Sequence, residues 1–206
     1  MSFLREVLAR LAGADVSFVV VGGVAVVLHG HMRATKDLDL VIDLEPAAAR
    51  RALDVFTQMG LRPTAPVSVY DFADAAIRQS WIADKNMTVF QLYDPNDARN
   101  SVDLFADVPM DFEGLWGRAV LVTLDGVEVR VASIPDRVAL DDAPRWPDAR
   151  DDLARVVATT TPLQRLEWLE QMIDLAYESG ALQKAVELER RERAAMFAQS
   201  ASPSSS

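Results

Sequence analysis

Residues 19–45, VVVGGVAVVLHGHMRATKDLDLVIDLE, constrain the fold more than any other stretch of this sequence. A first apolar run ends at the pair Gly22-Gly23, and a second begins at Asp37 with carboxylates at alternate positions. Because side chains of a strand alternate between its two faces, Asp37 and Asp39 share one face. Two like charges this close cost energy unless a cation lies between them. The stretch therefore predicts a strand, a tight turn, a short helix and a second strand that carries a charged site.

Periodicity and turn residues predict the remaining elements. Helices are expected over 3–11, 23–28, 47–59 and 112–118, and strands over 16–21, 38–42, 67–72, 79–84, 87–93, 101–105, 119–124 and 127–132, with Asp125-Gly126 closing a hairpin. Further helices are expected over 148–159, 163–179 and 181–199. The sequence thus predicts a mixed α/β domain over 1–133, a helical region over 134–199 and a disordered polar tail over 200–206.

Composition narrows the possible functions. The chain has 206 residues, 50% of them apolar and 25% charged, and no cysteine, which excludes disulfides, thiolate metal sites and cysteine nucleophiles. No apolar run approaches the roughly 20 residues that span a bilayer, so a cytoplasmic protein without membrane contact is expected. The net charge of −10 and the presence of only three lysines oppose a broad nucleic-acid-binding face. A local arginine patch could still hold a phosphate or the end of an RNA.

Several motifs in this order resemble a known family. They are Gly22-Gly23, the run Arg33-Ala-Thr35-Lys-Asp37-Leu-Asp39, the strand Ser101-Val-Asp103-Leu, and Leu115-Trp-Gly-Arg118-Ala before the Asp125-Gly126 hairpin. Together they resemble the polymerase-beta-type nucleotidyltransferases, and most closely the minimal AbiEii-like enzymes of toxin–antitoxin systems. The resemblance implies an α/β (α+β) core with a mixed sheet, followed by a helical C-terminal part.

The resemblance also implies a site. Asp37, Asp39 and Asp103 would be the catalytic carboxylates and would bind Mg²⁺, or Mn²⁺, which prefers one or two carboxylates together with substrate phosphates. Gly22 and Gly23 would let the backbone approach the triphosphate of an NTP. Arg33 would neutralise phosphate charge, and Thr35 would order the turn beside the nucleotide.

Each of these features also has a purely structural interpretation. A Gly-Gly pair can be only a tight turn, Asp37 and Asp39 can end a loop and cap a strand, and Asp103 can be a surface residue. The order and spacing of all of them together favour the metal-nucleotide site.

One family feature is missing. Related proteins carry a lysine ahead of an Arg-x-x-Asp-x-x-Asp helix, whereas here Arg145, Asp148 and Asp151 keep the spacing but Leu140 or Asp141 stands at the lysine position. Arg145 is the first candidate to replace the lysine at the nucleotide, with Arg137 and Arg150 as alternatives, although arginine and lysine differ in reach and geometry.

Two functions follow from this sequence. The first is a Mg²⁺-dependent enzyme that moves a nucleoside monophosphate from an NTP to an acceptor hydroxyl. The acceptor could be a tRNA 3′ end, a protein or a small molecule, and the resemblance favours the toxin of a pair with a cognate antitoxin. The second is a catalytically weakened protein of the same fold that acts by binding, which the missing lysine favours and the intact aspartates oppose.

Overall fold

A computed structural model describes residues 2–31, 35–97, 99–107, 111–136, 157–178 and 191. Its helices are α1 (Phe3–Gly13), α2 (Gly22–Leu28), α3 (Pro46–Gln58), α4 (Ala75–Lys85), α5 (Phe112–Arg118) and α6 (Pro162–Glu178), with a 3-10 helix over Val69–Ala73. Its strands are β1 (Phe18–Val20), β2 (Asp37–Ile42), β3 (Arg62–Pro63), β4 (Val89–Tyr93), β5 (Ser101–Phe105), β6 (Val120–Leu124) and β7 (Val127–Val131).

The seven strands form one sheet in the order β3-β4-β5-β2-β1-β7-β6. β2 pairs in parallel with β5 and β1 in parallel with β7, whereas all other neighbours are antiparallel. The predicted α/β class with a mixed sheet is therefore confirmed. None of the helices in the described ranges is long and apolar enough to cross a membrane.

The two faces of this sheet are covered unequally. Leu38, Leu40 and Leu104 point to what we call the core face, where they join a large apolar cluster with α1, α3 and α6. The opposite side, the carboxylate face, carries Asp37, Asp39 and Asp103, because these residues alternate with the leucines along β2 and β5. Beside them lies a small apolar cluster made of Val19, Val21, Val41, Leu115 and Ala132. Leu115 of α5 is the member of this cluster that lies within a described helix.

Local signals explain where the helices begin. The Ser2 hydroxyl accepts a hydrogen bond from the Arg5 amide at the start of α1. Pro46 occupies the first turn of α3, and the Glu45 carboxylate accepts hydrogen bonds from the Ala47 and Ala48 amides. The predicted Asp125-Gly126 hairpin is confirmed between β6 and β7, with φ of 50° and 81° at its two turn residues.

Two predicted strands are wrong. Residues 69–72 lie in the 3-10 helix over Val69–Ala73, and Ser68 precedes it as the cap, because Ser68 and Asp71 satisfy each other's backbone in a capping box. Residues 79–84 belong to α4, which Asp74 caps by accepting hydrogen bonds from the Ala76 and Ile77 amides. In both places the local capping bonds outweigh the β-rich composition of the segment.

The C-terminal helix α6 packs on the core face. Thr161 caps it as the sequence predicts, since its hydroxyl accepts a hydrogen bond from the Gln164 amide at 3.2 Å. Leu166 and Leu169 enter the large cluster, and the buried Arg165 donates from Nη2 to the Leu28 carbonyl at 2.6 Å. That carbonyl ends α2, so α6 satisfies the backbone of the helix that begins at Gly22. Apart from Arg191, which is helical, the helix predicted over 181–199 lies outside the described residues, as does most of the one predicted over 148–159.

Candidate active site

The parallel pairing of β2 and β5 sets the geometry of the carboxylates. Asp37 lies opposite Ser101, and Asp39 lies opposite Asp103. Neighbouring strands are about 4.8 Å apart, so the Asp39 and Asp103 side chains leave the same face side by side. Asp103 is only 4% exposed. Like charges directly opposite each other destabilise a sheet, so this pair is a place where a bound cation would be favourable.

Gly22 brings the β1–α2 turn directly against this pair. Its φ of 58° lies in the left-handed region, and a Cβ built on it would fall 2.1 Å from Asp39 Oδ2. A Cβ on Gly23 would fall 2.3 Å from the Thr35 hydroxyl oxygen. Only glycine therefore fits at either position without a shift of its neighbours, and the β1–α2 turn packs directly against Asp39 and Thr35.

Asp37 is held by two neighbours. The Ser101 hydroxyl donates a short hydrogen bond to Asp37 Oδ1. The Lys36 ammonium lies 3.2 Å from each of the two Asp37 oxygens. Both side chains of this ion pair are mostly buried, at 18% and 19% exposure. The sequence analysis did not single out Lys36 or Ser101, although Ser101 precedes Asp103 by one alternation on the same strand.

A cleft of about 250 Å³ opens beside Lys36. Its lining includes both charged and apolar residues and comes from the start of α1, the residue before β2, the β4–β5 loop and α6: Ser2, Phe3, Leu4, Lys36, Asp97, Arg99, Asn100, Glu170, Ile173 and Asp174. Arg99 Nη2 donates to Asp97 at 2.6 Å, and its Nη1 donates to Asp174 at 2.7 Å. The hydrogen bonds from Arg99 hold the pKa of Asp97 below its usual range. Burial raises the pKa of Glu170, which accepts a hydrogen bond from Ser2.

Another ion pair connects the end of α5 to the segment that follows β7. Arg118 donates from Nε and Nη2 to Asp136, at 3.1 and 2.8 Å, and the Ser133 hydroxyl donates to the same carboxylate at 2.6 Å. The hydrogen bonds from Arg118, and then that from Ser133, hold the pKa of Asp136 below its usual range. Arg118 is the last residue of α5, so this ion pair helps to hold the helix that places Leu115 in the small apolar cluster.

The described residues suit Mg²⁺ in type, because carboxylate oxygens are the hard donors that this ion prefers. They do not form a finished cage: within the described ranges no three His, Cys, Asp or Glu side chains come together as a metal-binding group. Mg²⁺ is usually held by one or two carboxylates together with substrate phosphates, and Asp37 and Asp39 can supply that number. The arrangement fits an ion that arrives with a nucleotide better than a permanently bound one. Arg33 and Arg145, the two predicted arginine contacts to the nucleotide, lie outside the described residues.

Comparison with known proteins shows a similar course of the backbone and no more. A scan against protein-family models and a search of curated proteins both find no match. A solved structure from Thermotoga maritima, provisionally described as a nucleotidyltransferase, is 17% identical with a TM-score of 0.44, over 83% of this chain and 90% of that one. ANT(2″)-Ia in complex with adenylyl-2″-tobramycin is 16% identical with a TM-score of 0.42, over 84% of this chain and 96% of that one. A solution structure of the antibiotic-resistance factor ANT(2″)-Ia is 14% identical with a TM-score of 0.43, over 89% of this chain and 95% of that one. At TM-scores below 0.5 these overlaps carry no weight for the function, which is argued from the residues of the site.

Proposed function

We propose that this protein is a nucleotidyltransferase of the polymerase-beta type that moves a nucleoside monophosphate from a Mg²⁺- or Mn²⁺-bound NTP to an acceptor hydroxyl. The observation that carries the proposal is the pairing of Asp39 with Asp103 on adjacent parallel strands, with Gly22 packed against Asp39. Opposed like charges are a cost to the fold, and they are expected where a cationic ligand offsets that cost.

In this reaction the acceptor oxygen attacks the α-phosphorus of the NTP. A new P–O bond forms to the acceptor, the bond between the α-phosphorus and the bridging oxygen to the β-phosphate breaks, and pyrophosphate leaves. Asp37 and Asp39 are the carboxylates that would hold the metal of the metal–NTP complex, which when bound neutralises phosphate charge. Asp103, the most enclosed of the three, is the candidate to take the proton of the acceptor hydroxyl.

The backbone at Gly22 and Gly23 is the proposed contact for the triphosphate, because neither residue has a side chain that would keep a phosphate away. The role of Arg33 and Arg145 at the phosphates stays part of the proposal. So does the biological setting of an AbiEii-like toxin in the cytoplasm, with a cognate antitoxin and a tRNA or protein acceptor. The net charge of −10 favours a protein acceptor over a long nucleic acid.

Radiolabel transfer tests the proposal. The full-length chain is incubated with each α-labelled NTP, Mg²⁺ or Mn²⁺, and total RNA or total protein, and label is expected in one of the acceptor pools. Asp39→Asn should reduce transfer by at least about a hundredfold, the scale of removing one electrostatic contact to the reacting groups. Asp43→Asn, just after the end of β2, is the matched control and should retain activity. Retained transfer by Asp39→Asn would contradict the proposed mechanism.

A second function is favoured by a specific observation. The described carboxylates form no finished three-ligand group, and Asp37 is already held by Lys36 and Ser101. These features suit a protein of the same fold that binds a nucleotide or a partner without catalysis. Calorimetric binding of a non-hydrolysable NTP with no label transfer in any acceptor pool would support this alternative.

A further inference from the structure

The Lys36 ammonium balances the charge of Asp37. It lies 3.2 Å from both carboxylate oxygens, so it straddles the carboxylate as a bound cation would. The pair is only 18% and 19% exposed, and water screens such a pair less than a surface one. A divalent ion at Asp37 must therefore compete with an ammonium that is part of the chain.

The cleft beside Lys36 offers this ammonium a second position. The cleft measures about 250 Å³, and Lys36 forms part of its wall. The same wall contains the carboxylates of Asp97, Glu170 and Asp174. Arg99 already pairs with Asp97 and Asp174, so the cleft offers open polar volume rather than unbalanced negative charge. The flexible lysine stem can thus turn from Asp37 into this volume without repacking of the apolar core.

We propose that Lys36 is an exchangeable internal cation: it neutralises Asp37 when no metal–nucleotide complex is bound, and it moves into the adjacent cleft when a divalent ion takes its place. This rests on the proposed function, because it takes Asp37 to be a metal ligand. Lys36 is therefore a positioning residue that sets the affinity of the site for the metal and keeps Asp37 ordered in its absence.

The first experiment measures metal affinity with Mn²⁺ as the probe, by calorimetry and by the electron paramagnetic resonance of unbound Mn²⁺. An opposite charge within about 4–6 Å changes the proton affinity of a carboxylate by 1–3 pKa units, and the affinity for a metal responds in the same direction. Lys36→Met should therefore bind Mn²⁺ about tenfold more tightly than wild type. Lys36→Arg keeps the charge and should stay near wild type, and Lys85→Met, at the end of α4, is the control for loss of a lysine elsewhere.

The second experiment uses the small number of lysines in the chain. Lys36, Lys85 and Lys184 are the only three, so lysine-selective ¹³C and ¹⁵N labelling of the full-length protein gives three side-chain signals. The Lys36 signal is assigned by its loss in Lys36→Arg. Addition of MgCl₂ at constant ionic strength should move this signal to saturation, while the other two stay in place. This readout uses the wild-type chain and does not depend on how a variant folds.

The outcomes separate the two proposals. Mn²⁺ binding that is equal or weaker in Lys36→Met, or a Lys36 signal that stays still while Mg²⁺ binds, overturns the exchange and leaves the nucleotidyltransferase proposal standing. No binding of either ion to the wild-type chain overturns the exchange, and if label transfer is absent as well it overturns both proposals. Tighter binding in Lys36→Met together with a moving Lys36 signal supports the exchange.

Discussion

The two faces of β2 belong to one six-residue strand but meet different surroundings. Leu38 and Leu40 are fully buried in the large apolar cluster, whereas Asp37 and Asp39 on the other face are partly exposed and meet polar partners. The core face gains stability from burial, at roughly 25 cal/mol for each Å² removed from water. The carboxylate face places like charges opposite each other, which costs stability. The strand thus joins a face that stabilises the fold to a face whose opposed charges are a cost that the proposed ligand would offset.

Alanine substitutions at adjacent positions of β2 test this contrast most strongly. Leu40→Ala should lower the free energy of unfolding by about 2–5 kcal/mol, because it leaves a cavity in a core where Leu40 is 0% exposed. Asp39→Ala, one position away, should change it by less than about 1 kcal/mol and towards greater stability, because it removes the charge opposite Asp103. Urea unfolding of the two variants and wild type measures both values. Equal destabilisation by the two substitutions would show that both faces serve the fold.

Alanine substitutions at Gly22 and Gly126 separate two contributions to stability, the packing against Asp39 and the backbone conformation. Both glycines have positive φ, of 58° and 81°, so alanine should cost about 1–2 kcal/mol at either position. A Cβ at Gly22 also meets Asp39, whereas one at Gly126 meets nothing within 4 Å. Gly22→Ala should therefore lose about 1–3 kcal/mol more than Gly126→Ala, the usual cost of overpacking. Thermal or urea unfolding gives the difference, and Mn²⁺ binding should weaken only in Gly22→Ala.

The smallest expected effect concerns Asp136, away from the carboxylates. Its pKa lies below the usual range because of hydrogen bonds from Arg118 and Ser133, so it contributes stability above its unfolded pKa of about 3.9. That contribution is lost as the pH falls through the lower pKa of the folded state. Wild type should exceed Asp136→Asn in stability at pH 6, and the gap should narrow below about pH 4. Unfolding curves at pH 6, 4 and 2.5 measure the gap, and a gap independent of pH would assign the effect to packing alone.

The sequence predicted those parts of the site that depend on neighbouring residues in the chain. Period-two alternation placed Asp37 and Asp39 on one face, and Gly22-Gly23 marked the turn that meets Asp39. It could not predict that Ser101 would bond to Asp37, because the position of β5 beside β2 is decided by pairing between strands far apart in the chain. The contact of Lys36 with Asp37 was missed for a different reason: side chains adjacent in a regular strand point to opposite faces, and Lys36 lies just before the strand begins.

The two segments that were wrongly predicted as strands fail for a local reason rather than a long-range one. Valine, tyrosine and phenylalanine over 67–72 favour a strand, but the reciprocal hydrogen bonds of Ser68 and Asp71 fix a helical turn. Over 79–84 the apolar pair Trp81-Ile82 suggests a short strand, whereas the helix signal is Asp74, which precedes the segment. In both places the capping side chains outweigh the average propensity of their neighbours.

The link between Arg165 and the Leu28 carbonyl has a consequence for the synthesis of the chain. The two residues are 137 positions apart, and the contact of Ser2 with Glu170 spans 168. Contacts of such length slow folding, because a long loop must close before they form. On the ribosome, the valine-rich segment of β1 and α2 emerges long before its partners in α6, and the part of its apolar surface that α6 covers stays exposed until then. Chaperone dependence during translation, rather than low stability of the finished protein, is the expected weak point of this fold.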